Sequence, residues 1–138
     1  MSGTDIDAQT ALIYLMIITA AADAEMRDEE LRTIGDTISL LPVFRGFDPE
    51  RLTDLAADVT AILQDPDGLD RAFADIRAAL PAYLRETAYA LACDVAAADG
   101  KASLEELRLL EMTRHRLEIE RLVAAAIERG ARARHHPL

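Results

Sequence analysis

Seven carboxylates in this sequence are spaced for work in common. Asp23, Glu25, Glu29 and Glu30 stand in or just after AAADAEM, and Asp99, Glu105 and Glu106 stand in AAADGKASLEEL, which begins at position 96. In both stretches an Asp is followed six and seven residues later by a pair of Glu. Carboxylate oxygens suit Ca²⁺, Mg²⁺ or Mn²⁺ rather than soft metals. Neither stretch is an EF-hand loop. Counting from each Asp, the position that needs Gly holds Asp28 or Leu104, and the one that needs Glu holds Ile34 or Leu110. The same acids have an architectural reading. An Asp at a turn accepts backbone N–H groups, and acids in the first turn of a helix are favoured by the helix dipole. Lys101 opposes a cation at the second stretch, so the first is the better metal candidate.

The elements that must position these acids are helices. Apolar spacing and capping signals predict seven. Helix 1 covers about 5–22, and helix 2 covers 28–40 with Leu31, Ile34, Ile38 and Leu41 inward. Asp48-Pro49-Glu50 opens helix 3, with Leu52, Leu55, Val59 and Ile62 inward, and Asp65-Pro66-Asp67 opens helix 4, with Leu69, Phe73, Ile76 and Leu80 inward. Pro81 marks the start of helix 5, which runs to about Ala98. Ser103 and Glu106 form a capping box for helix 6, whose inward line is Leu104, Leu107 and Leu109 or Leu110. Helix 7 runs from about Glu118 to Arg129, with Ile119, Leu122, Val123, Ala126 and Ile127 inward, and Gly130 ends it. The expected fold is all-α: one domain over 1–130 and a short basic tail over 131–138.

The two acidic stretches both fall at a helix corner, helix 1 into 2 and helix 5 into 6. Aligning residues 15–32 with 91–108 gives nine identities in eighteen positions. This suggests one helical unit used twice about a pseudo-twofold, with helices 1 and 2 resembling helices 5 and 6. Asp99-Gly100 at a helix end, Ser103 as cap and Glu105-Glu106 opening the next helix resemble the signature of the tellurite-resistance TerB-like family, over about 8–126. The first corner departs from that pattern at Ala24 and Arg27, and the second at Lys101. The resemblance implies an all-helical bundle, a role in tellurite, metal or general stress response, and metal binding through acidic residues of this kind. It also implies a membrane protein of the TerC type as a partner.

Bulk properties limit the remaining functions. The chain has 138 residues and a formal net charge of −10. Residues 1–70 hold 15 acids and 4 Arg, or −11; residues 71–138 hold 10 acids, 10 Arg and one Lys, or +1. Such a charge disfavours nucleic acid and favours cations or a partner with a basic surface. The uncharged run over 8–22 would span roughly 22 Å as a helix, short of the ~30 Å hydrocarbon core, so it reads as a central core helix. Cys93 is the only cysteine, expected as a small buried thiol. A reducing, cytoplasmic setting follows, at the inner face of the membrane if the TerC-type partner holds.

Other candidate residues carry less. Asp94 reads as part of a solvated face, His115 as a charge at a helix C-terminus, and His135 and His136 as tail residues with no Zn spacing. No nucleophile and base arrangement, phosphate loop or aromatic-basic platform is suggested, so the expected protein is not an enzyme. Two alternatives remain: an adaptor whose acidic face docks a basic partner without any ion, and a small metal-dependent enzyme using the same carboxylates. A deep apolar pocket beside Asp23 or Asp99 would favour the enzyme.

Overall fold

The computed structural model describes residues 5–22, 28–98 and 100–138. Seven α-helices follow in order: α1 (Ala8–Ala20), α2 (Asp28–Leu40), α3 (Leu52–Gln64), α4 (Gly68–Ala79), α5 (Arg85–Ala97), α6 (Leu104–Arg116) and α7 (Arg121–Arg134). Single 3₁₀ turns at Pro42–Phe44, Pro49–Arg51 and Ala82–Leu84 punctuate them, and no strand occurs among the described residues.

α1 is apolar all round and is accordingly the central helix. Every residue from Thr10 to Ala20 is buried. Its one buried hydroxyl near the C-terminal end is satisfied within the helix, Thr19 Oγ1 donating to the Leu15 carbonyl at 2.8 Å. α1 packs against α5, α4, α3, α2 and α6. α5 is the second core helix, burying Ala88, Tyr89, Leu91, Ala92, Cys93, Val95 and Ala96, and it packs against α7, α1, α2 and α6. No helix among the described residues is long and apolar enough to cross a membrane.

Helix ends differ from the sequence expectation where caps and turns act. Asp7 lies outside α1 and caps it, accepting from the Thr10 N–H at 2.8 Å. Pro49 and Pro81 precede or open 3₁₀ turns rather than the α-helices themselves. Asp65-Pro66-Asp67 forms a turn, with the Asp67 N–H donating to Asp65 Oδ1 at 3.0 Å, and α4 starts one residue later at Gly68. A Cβ at Gly68 would stand 1.7 Å from the Ile62 carbonyl oxygen, so only glycine lets α4 fold back this closely on the end of α3.

α7 departs most. It begins at Arg121, with Glu120 accepting from the Val123 N–H at 3.2 Å, and it runs through Gly130 to Arg134. Gly130 does not stop it, because tertiary contacts beyond it hold the helix: Ala131 is buried, and Arg134 pairs with Asp94 at 2.6 Å. Residues 131–134, expected as tail, are therefore helical.

The inward faces of α2 and α6 differ from expectation at their first turns. Leu31, Leu104 and Leu107 are 46%, 58% and 52% exposed. Ile34 and Ile38 on α2 and Leu109 and Leu110 on α6 are buried as expected, and the buried lines are completed by Glu30 on α2 and by Glu106 and Thr113 on α6. Each helix turns a glutamate, not the neighbouring leucine, toward the core. In α7, Leu122 and Ala126 face solvent, while Ala124 and Ala131 are buried.

Candidate functional site

The second corner is built by backbone geometry and one reciprocal cap. α5 ends at Ala97, and the Gly100 N–H returns to the Ala97 carbonyl at 2.9 Å. Gly100 has φ +83°, the left-handed conformation that glycine adopts without cost. Ser103 then caps α6. The Glu106 N–H donates to Ser103 Oγ at 3.0 Å, and the Ser103 N–H donates to Glu106 Oε1 at 2.9 Å. This is the capping box expected from the sequence. Glu106 is nevertheless fully buried, and its Oε2 has no hydrogen-bond partner among the described residues. Glu105, beside it, is exposed.

At the first corner Glu30 is likewise fully buried and Glu29 exposed, so the two Glu pairs share a pattern of one inward and one outward side chain. Other positions 76 residues apart match as well: Leu15 and Leu91, Ala20 and Ala96, and Ile34 and Leu110 are all buried. Asp23, Glu25 and Asp99 lie outside the described residues. Among the described residues no three His, Cys, Asp or Glu are grouped to hold an ion.

The fold does bring the end of α1 close to the start of α6. A cleft of about 300 Å³ is lined by Ile18, Ala21 and Ala22 on one side and by Glu105, Arg108 and Met112 on another. The guanidinium-bearing Arg108 therefore shares this cleft with Glu105. The model of the family described as tellurite resistance protein TerB matches residues 9–128. The chain belongs to the TerB family. No curated protein and no solved structure matches it.

A second and larger cavity in this TerB-family chain was not anticipated from the sequence. About 610 Å³ in volume, it lies between α5, α6 and α7, and its far wall is made by His135, His136 and Pro137, beyond the family match. Tyr89 donates its hydroxyl to the Glu128 carboxylate here. Burial, followed by that bond, raises the Tyr89 hydroxyl pKa well above its ordinary value. Burial also pushes the Cys93 thiol up to about 12, so the thiol lining this cavity is protonated and not nucleophilic near neutrality. Cys93 is free and buried, as expected.

Two expectations need correction nearby. Asp94 is not part of a solvated face: its side chain is 21% exposed and meets Arg134 at 2.6 Å and His135 at 3.4 Å. His135 is not a loose tail residue but the C-cap of α7. The sequence signal was the spacing of Tyr89 and Asp94 on α5 with Glu128 and Arg134 on α7, two pairs that meet when parallel helices pack.

Proposed function

We propose that this chain is a non-enzymatic, acidic binding module of the tellurite and general stress response. Its corners take up a divalent cation, Ca²⁺, Mg²⁺ or Mn²⁺, weakly, and its acidic half meets a partner with a basic surface. Family membership supports the stress context. The observation that carries the ion reading is Glu106 Oε2, a carboxylate oxygen buried without a hydrogen-bond partner among the described residues. A buried carboxylate in that state is costly, and a cation supplied by solution relieves it. The remaining ligands in this reading are Asp99 and Glu105 at the same corner, and Asp23, Glu25, Glu29 and Glu30 at the other. The charge of −11 over residues 1–70 supports the basic partner, a TerC-type membrane protein at the cytoplasmic face being the candidate.

One observation favours the second reading, an adaptor without any ion. Arg108 lines the cleft between the corners and supplies positive charge there itself. The enzyme reading draws on the larger cavity, which reaches Gly100, but the high thiol pKa of Cys93 suits a binding cavity better than an active site.

An NMR titration with Ca²⁺, Mg²⁺, Mn²⁺ and Zn²⁺ separates the first two readings. The ion reading expects saturable shifts or broadening at the backbone amides of 28–32 and 104–108, those at 104–108 being lost in Glu106→Gln. No response to any ion, or an unchanged response in that variant, leaves the adaptor.

A further inference from the structure

We propose that the trough between α5, α6 and α7 binds an organic ammonium ion bearing an apolar chain, with the Glu128 carboxylate as its counter-charge. The volume, about 610 Å³, falls within the range of small-molecule sites. Its floor is apolar and made of short side chains, Ala96, Ala97 and Ala131 with Leu110, which is what leaves the space open. A hydrocarbon chain fits that floor through the hydrophobic effect alone.

The charge of the head group follows from what stands at the polar end. Tyr89 and Cys93 are neutral donors there, and Tyr89 is already committed to Glu128. Glu128 is half-buried and takes part in no ion pair among the described residues. Arg114 and Arg132 line the trough as well, as does a second carboxylate, Glu111, but neither arginine is paired with Glu128. Arg114 Nη2 bonds the exposed His115 Nε2 at 3.1 Å, Arg132 is exposed, and Arg134 and His135 are held by Asp94. A half-buried carboxylate beside apolar lining, with no ion pair of its own among the described residues, is suited to receive an ammonium group. The other end is lined by Gly100 and Pro137, the latter 3.5 Å from the position of a Cβ at Gly100. The ligand therefore has its head at Glu128 and its chain directed toward Ala97 and Pro137.

Calorimetry of the full chain with hexylamine, heptylamine and octylamine, and with octanoate as control, tests this at pH 7. The amines bind one per chain, with affinity rising about fourfold per added methylene as its burial predicts. Octanoate binds at least tenfold more weakly than octylamine. Glu128→Gln lowers octylamine affinity at least tenfold, and Ala97→Leu, which fills the floor without touching charge, removes the dependence on chain length. Octanoate binding as tightly as octylamine overturns the proposal, as does an affinity indifferent to chain length. Amine binding unchanged in Glu128→Gln overturns it too, assigning the amine to the acidic surface at large. Should either variant lose its helical circular dichroism, the chain-length series and the octanoate control on the unaltered protein still decide.

Discussion

Replacing Glu106 by Gln and by Ala separates its charge from its shape. Gln retains both buried methylenes and an oxygen in the place of Oε1, which accepts the Ser103 N–H at 2.9 Å. It removes the negative charge whose second oxygen lacks a partner among the described residues. The relief of a buried charge is offset by a new amide donor that costs about 1–3 kcal/mol if unpaired. In metal-free buffer Glu106→Gln should therefore lie within about 1 kcal/mol of the parent. Ala forfeits the charge-assisted bond, about 1.5–3 kcal/mol, and one buried methylene, about 0.8 kcal/mol, and leaves a cavity that adds to the cost, against about 1–3 kcal/mol regained from the orphaned oxygen. Glu106→Ala should cost about 1–3 kcal/mol net. Urea denaturation with a chelator present measures both. A Gln variant as unstable as the Ala variant would refute the reasoning, because the charge itself would then be holding the metal-free fold together.

Three further outcomes follow from the contacts described. The Asp7 carboxyl is held below its ordinary 3.8 chiefly by its bonds to Thr10, so its contribution to stability is fully present above that value and fades as pH falls through the lowered one. Asp7→Ala should cost about 1 kcal/mol at pH 7 and progressively less as pH falls below 3.8 through the lowered value, by thermal melts across that range. Cys93, its pKa pushed up to about 12 by burial, should react with a thiol reagent at pH 7.5 far more slowly than in urea. A partner that meets α2, α3 or α4 should be captured at 50 mM salt and lost at 500 mM, since exposed charges are screened beyond ~10 Å at 0.1 M. Capture indifferent to salt would point to an apolar interface.

The fold was legible because its signals were local and redundant. α1 declared itself by 15 uncharged residues too few to cross a bilayer, α6 by its capping box, and α3 and α4 by the Asp-Pro turns just before them. What was not legible depended on long-range packing. Period alone placed Leu31 and Leu107 inward, whereas the structure buries Glu30 and Glu106 beside them. A leucine and a glutamate one position apart differ by about 100° around a helix, and only the neighbouring helices decide which faces the core. The end of α7 was misplaced for a similar reason: Gly130 signals a stop, but Asp94 on α5 holds Arg134 and His135 one turn further on. The acids were legible as a doubled phrase. That two of them, Glu30 and Glu106, would be fully buried was not, because a first-turn glutamate is ordinarily a solvated partner of the helix dipole. The cavity of Tyr89 and Glu128 left no signal beyond the matched spacing of its polar pairs on α5 and α7, since the space itself arises from alanines that fail to fill it.

The most direct test of the corners as a cation site is the melting temperature with and without 10 mM Ca²⁺, Mg²⁺ or Mn²⁺, in the parent, Asp23→Asn, Asp99→Asn and Glu106→Gln. Binding only to the folded chain at a Kd near 1 mM stabilises it by about 1.4 kcal/mol, on the order of 3 to 6 °C for a domain of this size. The account predicts that rise in the parent for at least one ion, its near loss in Asp23→Asn, and smaller effects of Glu106→Gln and Asp99→Asn at the other corner, where Lys101 already opposes a cation. An Asn still makes the turn that an Asp makes, so the loss reports ligation rather than capping. A parent that melts at the same temperature with every ion, or variants that respond as the parent does, would contradict it.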